Sequence, residues 1–194
     1  MPHRRSIRLP GYDYSQAGAY FITLCTQDHE CCFGQILDGC LQLNNASRTI
    51  ERWWHELSNK FPSIETDEYV VMPNHFHGVI AITGNNLYEA AGADPCGIVG
   101  ADTQVGPGQS RRIAPTLGDI LQWFKTMTTN EYIRGVKQLG WLSFQGRLWQ
   151  RNYYEHIVRN EDELNRIRQY ILDNPAKWMD DEENPANGKT RSLS

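Results

Sequence analysis

The stretch "EYVVMPNHFHGVIAI", Glu68–Ile82, holds two apolar runs with Pro73-Asn74 between them. Each run is rich in Val, Ile and aromatic residues, so each reads as a strand, Glu68–Met72 and His75–Ile82. A turn that short forces the two strands to lie as antiparallel neighbours. An amphipathic helix comes just before them. Ile50, Trp53, Trp54, Leu57 and Phe61 fall at i, i+3, i+4, i+7 and i+11, one face of a helix that Asn45 or Ser47 can cap and Pro62 ends. This unit of helix, strand, turn and strand limits the topologies the rest of the chain can complete.

The flanking segments complete it in one way. Ala19–Thr26, "AYFITLCT", reads as a strand, and Asp38-Gly39 in "CCFGQILDGCLQL" marks a hairpin. Thr116, with Asp119 three residues on, opens a second helix whose buried stripe is Leu117, Ile120, Leu121 and Phe124. "RLWQRNYYEHIV" reads as a further strand. Asn160 and Glu163 then form a capping box for a last helix, which Pro175 stops and whose core side is Leu164, Ile167 and Ile171. With the early hairpin set aside, the order is β-α-β-β-α-β plus a terminal helix. That is an α+β, ferredoxin-like (split βαβ) antiparallel sheet with an added N-terminal hairpin. Residues 1–178 are expected to form one domain, with 84–115 a long flexible loop and 179–194 an acidic, disordered tail.

Composition narrows the function classes. The chain of 194 residues carries a formal charge of −4, which argues against a general electrostatic grip on nucleic acid. It has no run of 18 apolar residues to span a membrane, and "MPHRRSIRLPGYDYSQ", with no apolar stretch behind its basic residues, is not expected to act as a secretory signal. Five cysteines without a Cys-x-x-Cys pair disfavour a disulfide framework or structural zinc, and suggest a reducing cytoplasm.

The chemistry-bearing feature is His75-Phe76-His77. Side chains alternate along a strand, so both imidazoles face one side and Phe76 and Gly78 the other. Their Cα atoms would be roughly 6.5–7 Å apart, within reach of one metal ion. A third ligand is needed, and Asn174, Glu155 and His156 are the candidates. An oxygen ligand would favour Mg²⁺ or Mn²⁺. Tyr170 and Asn174 stand at i, i+4, so a tyrosine lies one helical turn from a ligand candidate. Spacing alone does not separate Tyr170 from Tyr153 or Tyr154. The bland alternatives are two partly exposed histidines on a sheet face and a tyrosine that packs.

"VVMPNHFHGVI" followed about a hundred residues later by "WQRNYYEHIVRNEDELNRIRQYILDNPAKW" resembles the REP-associated tyrosine transposases, within the single-tyrosine HUH transposases. The likeness runs from about Gly18 to Trp178. It implies a ferredoxin-like sheet with the His pair on a central strand and a nucleophilic tyrosine on the helix after the last strand. In the "YI-x-x-NP" context that tyrosine is Tyr170, and Asn174 is the implied third ligand beside His75 and His77. The implied reaction is cleavage and rejoining of single-stranded DNA at hairpin-forming, REP-like elements, with Mg²⁺ or Mn²⁺ and a 5′-phosphotyrosine intermediate. Arg4, Arg5, Arg8, Arg151 and Arg159 are the expected phosphate contacts, with stacking of bases on exposed aromatics. A monomer or a homodimer is compatible with this reading. The alternatives are a phosphodiesterase that uses water, and a binding module or domesticated relative that holds DNA hairpins without cutting them.

Overall fold

The computed structural model describes residues 13–37, 40–83 and 115–187. Four strands form one antiparallel sheet: β1 (Gly18–Cys25), β4 (Ile64–Val71), β5 (His75–Ile82) and β6 (Tyr154–Val158), in the order β4-β5-β1-β6. The helices α1 (Asn45–Lys60) and α2 (Leu117–Leu139) fall between strands, and α3 (Glu161–Asp173) follows β6. This is the split βαβ arrangement expected from the sequence. A separate hairpin of β2 (Gly34–Leu37) and β3 (Cys40–Leu43) leads into α1. The hairpin's turn, Asp38-Gly39, lies outside the described residues, as do Arg4, Arg5, Arg8 and residues 84–114. No helix among the described residues is long and apolar enough to cross a membrane.

The two sheet faces have different contents because side chains alternate. Tyr20, Ile22 and Leu24 of β1, with Phe76 and Ile80 of β5, join Ile50, Trp54 and Leu57 of α1 and the α2 stripe in the main core. Beneath β5 the packing is so close that a Cβ on Gly78 would meet the Trp54 ring at 2.7 Å. Phe21 and Val79 point to the opposite face, where Ile171 of α3 covers them and Leu164 and Ile167 pack alongside. Arg168 of α3 pairs with Asp67 at 2.6 Å, and Asp67 lies in an irregularity of β4 between Thr66 and Tyr69. That ion pair and the apolar stripe orient α3 across the sheet.

Several boundaries differ from expectation. Asn44, not Asn45 or Ser47, caps α1, its Oδ1 accepting from Ala46 N and Ser47 N at 2.9 and 3.1 Å. The α3 cap is half a box. Asn160 Oδ1 accepts from Glu163 N, but the Glu163 carboxylate is taken by Arg159 N and His156 Nε2. The last strand begins at Tyr154 rather than Arg147. Leu148 and Trp149 are both buried, which breaks the alternation, and the chain bends at Arg151. Residues 179–187, assigned from sequence to a disordered tail, run against the sheet end instead. Asn74 Nδ2 donates to Glu183 O at 2.6 Å, and Asn184 Nδ2 donates to Trp178 O at 2.9 Å. Two buried asparagines thus hold a segment whose charge reads as solvated.

Candidate active site

His75 and His77 project from β5 onto the α3 face, with ring centroids 4.6 Å apart. Both are buried, and each has one ring nitrogen occupied. Asn74 Oδ1 lies 2.9 Å from His75 Nδ1, and Thr23 Oγ1 lies 2.8 Å from His77 Nδ1. Thr23 reaches His77 because the two are cross-strand partners in the β1–β5 ladder. The Nε2 atoms are left to face the site. Burial holds both imidazoles neutral, pushing His77 down to about 3 and His75 well below the ordinary histidine value, where the neighbouring His77 adds to the effect. Neutral imidazoles are the ligand form.

Asn174 caps α3 and is 3% exposed. Its amide interacts with both His75 and Tyr170. Asn174 Oδ1 and His75 Nε2 are buried acceptors with no hydrogen-bond partner. Such atoms are costly to bury unless something satisfies them. Two imidazole nitrogens and an amide oxygen are a donor set that suits a divalent ion, so the residues fit the group the sequence implies.

The other ligand candidates stand elsewhere. Glu155 is the cross-strand partner of Ile22, which puts it on the face packed by α1 and α2, opposite the histidines. His156 shares the α3 face, but its Nε2 is bound to Glu163 at 2.9 Å. Tyr153, Tyr154 and Tyr170 all line a cleft of about 830 Å³ that His77 and Asn174 also line. Tyr170 is the one whose hydroxyl comes within 3.5 Å of His77 Nε2. Phe21 steers it edge-on, with centroids 5.9 Å apart and planes at 85°. Burial, and then Asp181, raise the Tyr170 phenol above its usual value.

Of the described arginines expected to contact phosphate, both are exposed. Arg151 directly precedes the cleft-lining stretch Asn152–Tyr154. Arg159 lies past the far end of β6, beyond Val158, the partner of Ala19. All six tryptophans are buried or half-buried, so the exposed aromatics at the cleft are Tyr154 and Tyr170. The sequence reading did not reach Thr23, Asn74, Lys177 or Asp181. Asp181 Oδ2 lies 3.8 Å from His75 Nε2, and burial raises its carboxyl above the usual range. Asp180, Asp181, Glu182 and Glu183 line the cleft, and Lys177 is the lysine or arginine among its described lining residues. Asn74 was the most accessible of these, since it directly precedes the His pair.

No family model matches the chain. It is 37% identical over 180 residues to an uncharacterized protein of Haemophilus influenzae, covering 93% of this chain and 92% of that one. Among solved structures it is similar to a REP-associated tyrosine transposase bound to a REP hairpin, with a TM-score of 0.53. That match covers 91% of this chain and 74% of the other, and at 16% identity the likeness is one of fold.

Proposed function

We propose that this chain, which belongs to one family with the Haemophilus influenzae protein and has the fold of a REP-associated tyrosine transposase, is a metal-dependent single-stranded DNA nuclease and strand transferase. The observation that carries this reading is the pair of orphaned buried acceptors, His75 Nε2 and Asn174 Oδ1, beside a tyrosine hydroxyl 3.5 Å from His77 Nε2. Mg²⁺ or Mn²⁺ held by His75, His77 and Asn174 would polarise the scissile phosphate and stabilise the charge that develops on it.

The chain's own residues do the rest. Tyr170 is 44% exposed and lines the cleft, while its ring is held by Phe21 and His77. Tyr170 Oη forms a bond to phosphorus, and the bond from phosphorus to the 3′ oxygen breaks. The phenolic proton passes to solvent, and the leaving oxygen takes up a proton from solvent to become a free 3′-OH. The DNA then remains joined to the protein as a 5′-phosphotyrosine. A second 3′-OH attacking that linkage rejoins strands and returns the tyrosine. The substrate in this reading is hairpin-forming, REP-like DNA, since the structural relative was solved with a REP hairpin.

The test is a covalent-adduct assay. Labelled single-stranded hairpin DNA from the neighbourhood of the gene is mixed with the protein in Mn²⁺ or chelator and resolved on a denaturing gel. A metal-dependent protein–DNA band that is absent in Tyr170→Phe supports the proposal. Cleavage with no band would replace it with a water-using phosphodiesterase, and retention on a native gel without cleavage with a binding module.

A further inference from the structure

A second cluster of ligating side chains lies beside the histidine pair and has no part in the reaction above. Cys25 ends β1, His29 follows in the 3-10 turn Gln27–His29, and Glu183 comes from the segment beyond α3. The sulfur, an imidazole nitrogen and a carboxylate oxygen of these three lie within 4.8 Å of one another. The groups are held in place by their surroundings. Asp28 and His29 take φ of 56° and 57°, a left-handed turn that carries His29 back to the end of β1. Gln150 Nε2 lies 3.2 Å from the far imidazole nitrogen, His29 Nε2, and the Glu183 backbone is tied to Asn74. His29 Nδ1 comes within 2.9 Å of Glu183 Oε2, but without the angle of a hydrogen bond. That nitrogen is buried and has no hydrogen-bond partner.

We propose that Cys25, His29 and Glu183 form a binding site for one zinc-class divalent cation, distinct from the centre at His75, His77 and Asn174. Thiolate, imidazole and carboxylate are the donor types zinc takes, and a sulfur ligand disfavours Mg²⁺ and Mn²⁺. The other centre contains no sulfur, so the two sites prefer different ions. Cys25 and Glu183 also line the cleft, which leaves a fourth position to water. Binding is an exchange. The sulfur–metal bond forms as the thiol proton leaves to the buffer, while the Glu183 carboxylate balances part of the added charge. Burial and that carboxylate otherwise keep the proton on the thiol. Since Cys25 is the cross-strand partner of His75, a cation here fastens the segment bearing Glu183 to the strand end next to the histidines.

The test uses the full-length, reduced protein and Co²⁺ as a spectroscopic stand-in. The expected result is a near-ultraviolet sulfur-to-cobalt charge-transfer band that saturates at a single equivalent and is displaced by Zn²⁺. Cys25→Ser abolishes the band. Asn174→Ala, which impairs the other centre, leaves the band unchanged. Circular dichroism of each variant checks that it is folded. The proposal is overturned by a folded wild-type protein that shows no sulfur band, or by a band that survives Cys25→Ser. DNA cleavage is not the readout, so failure here and failure of the nuclease reading are separate results.

Discussion

Thr23 Oγ1 stands 2.8 Å from His77 Nδ1, across the ladder between β1 and β5. The contact fixes the ring so that Nε2 faces Tyr170. Thr23→Val keeps the shape and removes the hydroxyl. Mn²⁺ affinity is expected to fall by about 10–100-fold, the usual effect of losing a partner behind a metal-ligating histidine. Leaving a buried ring nitrogen without a partner is also expected to cost about 1–3 kcal/mol of stability. Paramagnetic resonance of free Mn²⁺ and urea unfolding measure the two effects. Unchanged Mn²⁺ affinity would mean that Thr23 does not orient a ligand.

Gly78 follows the histidine pair because the Trp54 ring occupies the space where a Cβ would go. Gly78→Ala is expected to destabilise the fold by about 1–3 kcal/mol through overpacking. The strain should reach His77 one residue away, so the metal-binding curve should weaken with the unfolding midpoint. An alanine variant as stable as wild type would show that α1 can retreat from the strand.

Lys177 lines the cleft together with four acidic residues and pairs with Asp173 at 3.1 Å. If DNA enters this cleft, Lys177→Ala should weaken retention of single-stranded hairpin DNA and lower the salt slope by about one. Arg159→Ala, beyond the far end of β6, should change neither. Native gels across a salt series separate the two variants. Equal losses would place the DNA path along α3 rather than through the cleft.

Acidification should destabilise the metal-free protein. His77 is held down to about 3 in the fold, whereas an unfolded histidine titrates near 6.5. The unfolded chain therefore binds this proton first as pH falls. Stability from the buried neutral ring is complete above about pH 6.5 and is lost progressively toward pH 3. The slope in that window is about 1.4 kcal/mol per pH unit for each such histidine. Urea midpoints between pH 7 and pH 5 in chelator measure it, and a His77→Gln variant should show a shallower dependence.

Much of the scaffold was legible because its signals are local. The α1 stripe, the Thr116 cap with Asp119 and the bounds of β5 all come from nearest-neighbour periodicity and capping chemistry. The partners of the histidines were less so. A period of two says that Glu155 and His156 face opposite ways, but not which one shares the face of the histidine pair. That depends on the register of β6 against β1, which is a non-local fact. Thr23 was hidden for the same reason. Residues 180–183 carry four consecutive acids and read as solvated, and the buried side chain of Asn74, more than a hundred positions earlier, holds them at the site.

Tyr170 and Asn174 stand one turn apart on α3, and the chain continues from Asn174 into the 3-10 stretch Pro175–Asp180. The helix therefore works as a single lever. It cannot swing the tyrosine out of the cleft without carrying the amide oxygen away from His75. In the proposed reaction, a DNA end joined to Tyr170 stays in register with the metal centre for as long as α3 stays docked. Undocking would dismantle the centre and carry the joined end away from it in the same movement, so a strand can be rejoined only while α3 is docked.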